Sequence, residues 1–426
     1  MIKRRENRQT ITFVSDETSK VMDTSFLYHV FGLVGLKCTC TEYKGNALVL
    51  NVEYSKRKNK CPCCGKRTLV KNGYRYRDIL TLPVGMKRTI LHMKVQRYKC
   101  KECGYDQQER ISFTTGGRSY THRFARFVVD LLKGATLQQV ASWLHISWDT
   151  VKEIHSTYLK RRYSPPSLEG VEYIGIDEFA VLKGHKYKTI VVDLVTGRIL
   201  YVGDGKSEQS LEKFWKRVRK KGVNIKYVST DMSDAFINSV RHNAPQAVLV
   251  FDHFHVVKLM NEKLDEIRCE VMRNQTDEQM KALIKGTKYI LLANEENIRE
   301  DERGARKLDR ALALNTPLTQ AYYLKEDLRQ IYKQENRDDA KTKLDEWIEM
   351  ARGSGQKQLE TMANTLEQAE EGILAYYTCR ISTGKVEGIN NKIKVMKRNA
   401  YGFRDDRYFT LRLYALHDCR ITRNVG

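Results

Sequence analysis

The chain has only 6 prolines and 26 glycines in 426 residues, which excludes collagen-like and proline-rich low-complexity architectures. No run approaches the ~18 consecutive apolar residues of a membrane span. Met1-Ile-Lys-Arg-Arg-Glu-Asn-Arg8 is basic but no apolar stretch follows, so no secretory leader is expected. Acid is in deficit, with 52 Asp+Glu against 75 Lys+Arg and a net charge of +23. Hydrophobic residues make up 41%, enough to bury cores, so wholesale disorder is excluded. At ~100–200 residues per domain, the length predicts two to four domains. A cytoplasmic, nucleoid-associated chain is expected. In that reducing compartment ten cysteines point to metal rather than disulfides. The positive excess points first to nucleic acid.

The charge is unevenly spread. Residues 1–163 carry a net +18, residues 258–376 a net −4, and residues 377–426 a net +7. Such asymmetry suggests separate jobs for separate segments.

Cys61-Pro-Cys-Cys64-Gly65 and Cys100-Lys-Glu-Cys103-Gly104 are two CxxCG knuckles with 35 residues between them. A turn with Gly after the second Cys lets backbone N–H groups face the thiolates, and two turns supply the tetrahedral sulfur set of Zn²⁺. The spacing predicts a zinc ribbon over 56–112, ligated by Cys61, Cys64, Cys100 and Cys103, after an α/β segment 1–55. Cys63 could replace Cys61 or Cys64, but CxxC spacing favours the latter two. Four protein ligands leave no open position, so the zinc is structural. Cys38, Cys40, Cys269, Cys379 and Cys419 lack a matching pair. Residues 51–110 hold 16 Lys+Arg against 5 Asp+Glu, including Lys56-Arg-Lys-Asn-Lys60, which suits phosphate contact or a solvated basic face.

Residues 116–163 read as a helix-turn-helix domain of three helices. Phe124, Phe127, Val128, Leu131 and Leu132 form an apolar stripe. In Leu137-Gln-Gln-Val-Ala-Ser-Trp-Leu-His-Ile-Ser-Trp-Asp-Thr-Val-Lys-Glu-Ile154, Ala141 is small at the crossing and Ser147 is a good N-cap. His145 stands where such turns usually have Gly, and His tolerates positive φ. The helix from 147 would enter the major groove by its N-terminal end, presenting Trp148, Asp149 and Lys152 to DNA. Asp149 and Glu153 are poor phosphate partners, so a protein contact or a packing helix is the competing reading. Ser164-Pro-Pro-Ser167 marks a linker.

Beyond the linker, Tyr173-Ile-Gly-Ile-Asp-Glu-Phe179 is a short strand ending in acid. A hairpin, a helix from Leu211 to Val218, a strand Val223–Asp231 and a strand Ala247–Asp252 follow. That is the order of a ribonuclease-H-like mixed α/β core (168–257). Asp177 and Asp231 sit at corresponding strand ends, where paired carboxylates can hold two Mg²⁺ ions ~3.5–4 Å apart for phosphodiester chemistry. Acids also end strands without function. Glu178 is expected on the opposite side, Asp234 as a helix N-cap and Asp193 in a structural turn. Ser382–Arg398 reads as a helix burying Val386, Ile389, Ile393 and Met396. Its other face carries Glu387, Asn390, Asn391, Lys394 and Arg398, as a metal ligand beside DNA would require, or as an ordinary solvated face would show.

These residues resemble the DDE transposases of bacterial insertion sequences, in the third type of the ISL family. The likeness runs essentially end to end. It covers the two-CxxC finger, the helix-turn-helix, Ile174-Gly-Ile-Asp-Glu-Phe179, Ser229-Thr-Asp-Met232, Thr383-Gly-Lys-Val-Glu-Gly-Ile-Asn-Asn391 and Lys394-Val-Met-Lys-Arg-Asn-Ala-Tyr-Gly-Phe-Arg404. The resemblance implies that Asp177, Asp231 and Glu387 are the catalytic triad holding Mg²⁺ or Mn²⁺. It implies double-stranded DNA, both element ends and target, as partner, and at least a homodimer. It also implies a supporting role for Asp252 and His255, though Asp252 could equally cap the helix that follows. Lys394, Lys397 and Arg398 are expected on DNA backbone, with Asn391 beside them. The acidic stretch 258–376 resembles an all-helical insertion, with 377–426 returning to the core. The implied activity is binding of terminal inverted repeats, strand cleavage and strand transfer. The rivals are a sequence-specific DNA-binding regulator on an inactive scaffold and a structure-selective nuclease.

Overall fold

The computed structural model describes residues 24–56, 60–182, 186–294, 296, 298, 302–313, 316–378 and 384–418. The chain divides into two compact units, 1–158 and 159–426. Among the described residues no helix is long and apolar enough to cross a membrane.

The first unit opens with α1 (Thr24–Phe31), then β1 (Leu36–Lys44), β2 (Ala47–Tyr54), β3 (Leu69–Val84), β4 (Lys87–Cys100) and β5 (Asp106–Gln108). They form one sheet in the order β1-β2-β4-β3, with β5 also on β4. The expected boundary at 55/56 therefore does not separate two folding units. Ala47–Val52 of β2 pairs in parallel with Arg88–Met93 of β4, so the N-terminal segment completes the sheet of the finger. The period-2 pattern of β3 and β4 serves two cores. Ile79, Leu91 and Met93 pack with Leu27, Phe31 and Leu50 on one face. Leu80 and Ile90 pack with Phe124, Val128, Val140 and Val151 on the other.

That second core belongs to α2 (His122–Leu131), α3 (Leu137–Leu144) and α4 (Trp148–Tyr163). Local chemistry sets each end. Thr121 caps α2, and Thr136 with Gln139 forms a reciprocal capping box on α3. His145 ends α3 at φ 49°, the left-handed turn anticipated for it. The Ser147 hydroxyl accepts from Thr150 N at 3.2 Å and starts α4.

The second unit is built on β6 (Tyr173–Leu182), β7 (Lys186–Asp193), β8 (Ile199–Asp204), β9 (Tyr227–Thr230) and β10 (Val248–Phe251), in the order β10-β9-β6-β7-β8. The first three run as an antiparallel meander, and β9 and β10 add in parallel. This is the ribonuclease-H-like order. Asp193 holds the β7–β8 turn by accepting from Val195 N and the Thr196 hydroxyl. β9 is shorter than the expected 223–231, because Gly222 (φ 62°) and Val223 still close the preceding helix. Both faces are covered. α5 (Glu212–Lys221) and α6 (Asp234–Asn243) bury Phe214, Trp215 and Phe236 against Ile174, Ile176, Val191 and Val228. Asp234 opens α6 as its first residue, and the cap position is Ser233.

After β10 the chain is helical: α7 (His253–Asn274), α8 (Glu278–Lys285), α9 (Lys288–Leu292), α10 (Glu302–Ala313), α11 (Thr316–Ile331), α12 (Arg337–Gly353), α13 (Lys357–Gln368) and α14 (Glu370–Leu374). One apolar core, including Leu264, Leu318, Leu328, Leu344, Trp347, Leu359 and Leu366, holds this insertion together and reaches Phe251 of β10. Its end is tight on the sheet: a Cβ on Gly372 would lie 2.4 Å from the Phe251 ring. Then α15 (Gly384–Asn399) and α16 (Asp406–Tyr414) cover the remaining face, with Val386, Ile389, Ile393, Met396, Phe409 and Leu413 on Ile190, Val192 and Ile199. The buried Lys188 ammonium joins β8 to α16, bonding Asp204 at 2.6 Å and Asp406 at 2.9 Å.

Candidate metal centres and DNA-contact residues

In the first unit the knuckles meet at the end of the β3–β4 hairpin opposite its turn, where Leu69 faces Cys100. Gly65 (φ 72°) and Gly104 (φ 71°) adopt the left-handed backbone that the turns need. The Sγ atoms of Cys61, Cys64, Cys100 and Cys103 all lie within 4.8 Å of one another. Cys61 and Cys103 are 3.6 Å apart, and Cys64 and Cys100 3.7 Å. Tetrahedral Zn–S bonds of ~2.3 Å put sulfurs about 3.8 Å apart, so the set fits Zn²⁺. The Thr68 hydroxyl, then the Cys103 N–H, pull the Cys100 thiol down to about 6, while burial and the neighbouring thiols push Cys103 up to about 12. Cys63 is exposed and outside the set. Cys379, Cys419 and residues 57–59 lie outside the described residues.

In the second unit the acids are aligned by register. Parallel pairing of β6 and β9 matches Tyr173 with Tyr227 and Gly175 with Ser229. Two places further, the same register sets Asp177 opposite Asp231. β9 and β10 match Thr230 with Phe251, which sets Asp231 opposite Asp252, and Asp252 N donates to Thr230 O. Parallel strands in register turn equivalent side chains to one face. Three acids therefore stand in a row across three adjacent strands.

Asp177 is 6% exposed. Its Oδ1 accepts from Glu178 N (2.7 Å), its Oδ2 accepts from Asn390 Nδ2 (2.5 Å), and His255 Nε2 lies 3.9 Å away. Burial pushes its carboxyl above the usual range and the Asp231 charge adds to that, while His255, Glu178 N–H and Asn390 oppose it. Asp252 caps α7 through Phe254 N (3.1 Å), as one of its two readings anticipated, and it also bonds His255 Nδ1 (3.1 Å). That bond, then the Asp177 charge, raise the His255 imidazole above its ordinary value. Asp231 accepts from Ser233 N. The Glu178 carboxyl, expected on the opposite side, is raised by burial and by the Asp231 and Asp177 charges.

Glu387 stands apart from this row. It is exposed in the first turn of α15, one turn before Asn390. Among the described residues only the four cysteines form a tight ligand cluster. α15 is nonetheless fixed along β6 at three points. A Cβ on Gly175 would lie 2.6 Å from Val386, Asn390 bonds Asp177, and Lys397 Nζ donates to Ala180 O at 2.7 Å.

Family comparisons agree with this architecture. A transposase model of the ISL3 type matches residues 174–413. A zinc-finger model of the transposases of IS204, IS1001, IS1096 and IS1165 matches 57–103, and the helix-turn-helix model of the ISL3 transposase family matches 109–158. The chain is 33% identical to the transposase for insertion sequence element IS1001 of Bordetella parapertussis, over 88% of this chain and 92% of that one. This chain belongs to the ISL3 transposase family. It is also 25% identical to the transposase for insertion sequence element IS1557 of Mycobacterium tuberculosis, over 81% of this chain and 82% of that one. A chain of the Drosophila P element transposase strand transfer complex aligns over 74% of this chain and 94% of its own, at 11% identity and a TM-score of 0.38.

As an ISL3 transposase the chain carries a zinc-ribbon and a helix-turn-helix domain for DNA. At the start of α4, Trp148 and Asp149 are exposed and the Lys152 ammonium sits 5.0 Å over the Trp148 ring. Glu153, though exposed, accepts from the Tyr120 hydroxyl (3.2 Å) and pairs with Arg118 (3.3 Å). Asn391, Lys394 and Arg398 are exposed on α15. The Lys397 ammonium donates to the Ala180 carbonyl, because α15 lies along β6. Asn390, placed on the polar face but given no role, makes the contact with Asp177; its i+3 spacing from Glu387 was the available signal.

Proposed function

We propose that this transposase binds the terminal inverted repeats of its own insertion element through the first unit and cuts and joins DNA with Asp177, Asp231 and Glu387. The observation that carries the reading is the register that lines up Asp177, Asp231 and Asp252, with the Glu387 helix fixed on the strand bearing Asp177. Neighbouring carboxylates, two of them buried, favour a divalent cation, and their hard oxygens suit Mg²⁺ or Mn²⁺. Two such ions, when bound, neutralise charge on the attacking and leaving oxygens. Asp177 is held for this by Glu178 N–H and Asn390, and His255, oriented by Asp252, balances its charge. Cleavage frees a 3′-hydroxyl, which attacks target DNA in line without a covalent protein intermediate. Joining two ends calls for a homodimer or larger assembly, acting in the cytoplasm on the nucleoid.

The test incubates the full chain with Mg²⁺ and double-stranded DNA bearing the element's ends. Strand transfer that disappears in Asp177→Asn, with end binding retained, is the expected result. Specific binding with no cleavage would replace the proposal with a DNA-binding regulator. Cleavage of any branched DNA without joining would replace it with a nuclease.

A further inference from the structure

Asn390 makes one bond and leaves one atom without a partner. Its Nδ2 donates to Asp177 Oδ2 at 2.5 Å. Its Oδ1 is buried and accepts no hydrogen bond. Such an acceptor costs about 1–3 kcal/mol unless something satisfies it. Turning the amide over does not help, since that would set oxygen against the carboxylate oxygen. Carboxamide bond lengths keep Oδ1 within about 5 Å of the Asp177 carboxylate. The missing partner is therefore a donor that arrives beside Asp177. A phosphate oxygen is excluded, because it only accepts. A water polarised by a divalent cation donates strongly, and Mg²⁺ keeps several of its waters when bound.

We infer that Asn390 is a positioning residue of the divalent-cation site: its nitrogen fixes Asp177 and its oxygen accepts a hydrogen bond from a water on the cation. The inference rests on the proposed role of Asp177. Asn390 and Glu387 share a face of α15, one turn apart. Asn390 thus couples the exposed acid on the helix to the buried acid on β6. A neutral amide does this without adding a further negative charge to Asp177, Asp231 and Asp252. The Val386–Gly175 contact sets how far the helix is turned, and so which of Asn390 and Asn391 faces the strand.

The test is Mn²⁺ affinity of the full chain without DNA, read from the electron paramagnetic resonance of free Mn²⁺. Asn390→Leu keeps the shape and removes both polar atoms. It should weaken Mn²⁺ binding 10–100-fold, the usual effect of losing a group that orients a metal ligand. Asn390→Ala removes both polar atoms without adding apolar bulk, and should weaken Mn²⁺ binding at least 3-fold. Asp177→Asn is the reference and should lose binding at least as fully as Asn390→Leu. Affinity within twofold of the parent in Asn390→Leu, while Asp177→Asn loses it, overturns the inference alone. Parental affinity in Asp177→Asn overturns the cation reading beneath it. If Asn390→Leu melts early, Asn390→Ala decides: Mn²⁺ affinity within twofold of the parent in a folded protein sinks the inference.

Discussion

The two ligand sets of this chain are assembled in opposite ways. The four cysteines come from two short turns that a single hairpin brings together, and their sulfurs already have tetrahedral spacing. The acids come from β6, the end of β9, the end of β10 and α15, with 156 positions between Asp231 and Glu387. One set holds a fold and needs no open position. The other, proposed to admit DNA, has its outermost acid exposed. A closed site is built by local geometry, whereas an open one depends on how distant elements dock.

Losing the closed site should have the widest effect. Cys64→Ser removes one of four sulfurs, and zinc binding in small ribbons supplies about 10–16 kcal/mol of apparent folding free energy. Zinc release should rise, the first unit should lose its melting transition, and element-end binding in a gel shift should fall at least 100-fold. Retained end binding in zinc-free protein would break the contrast, because the ribbon would then stand without metal. Glu387→Gln probes the open site. Strand transfer should fall at least 10³-fold while the melting temperature stays within about 1 °C, since Glu387 is exposed. A large loss of stability instead would mean that this acid serves packing.

Gly175→Val addresses the docking that unites the open site. A Cβ there would meet Val386 at 2.6 Å and Leu194 at 3.0 Å, so α15 must shift. Overpacking of this kind costs about 1–3 kcal/mol, and Asn390 would be drawn off Asp177. Strand transfer should drop more than the modest fall in melting temperature explains. A companion Val386→Ala should recover part of both.

The same contrast explains what could be read in advance. CxxCG spacing is local, so the cysteine set, the turns and the exclusion of Cys63 were all legible. Asp231 was legible as a strand end, but Asp177, expected to end its strand as well, is the fifth residue of β6, because antiparallel pairing with β7 carries that strand on to Leu182. The row they form with Asp252 was not, since it depends on a register shared by three strands. Asp252 reads as either a cap or a site residue; its Oδ1 makes the cap, and its Oδ2 is left to bond His255. Spacing put Glu387, Asn390 and Lys394 on one face, but the rotation of α15 on β6 decides which reaches the strand. The parallel pairing of β2 with β4 joins segments about 40 residues apart, and nothing local in either signals it.

The smallest effect concerns His255 and separates the open site from the closed one by pH. Its imidazole is raised first by the hydrogen bond to Asp252 and then by the Asp177 charge. A histidine raised in the folded state gives stability that is complete below its unfolded value of about 6.5 and disappears as pH rises through the folded value. His255→Gln should therefore lower the melting temperature most near pH 5.5 and least near pH 8.5. Each kcal/mol lost corresponds to about 2–4 °C in a unit of this size. Added Mn²⁺ should flatten the difference, because a cation beside Asp177 takes over the charge balance that the imidazolium provides. A difference that grows toward alkaline pH would mean that burial dominates this imidazole and that the Asp252–His255 pair does not hold a proton for the site.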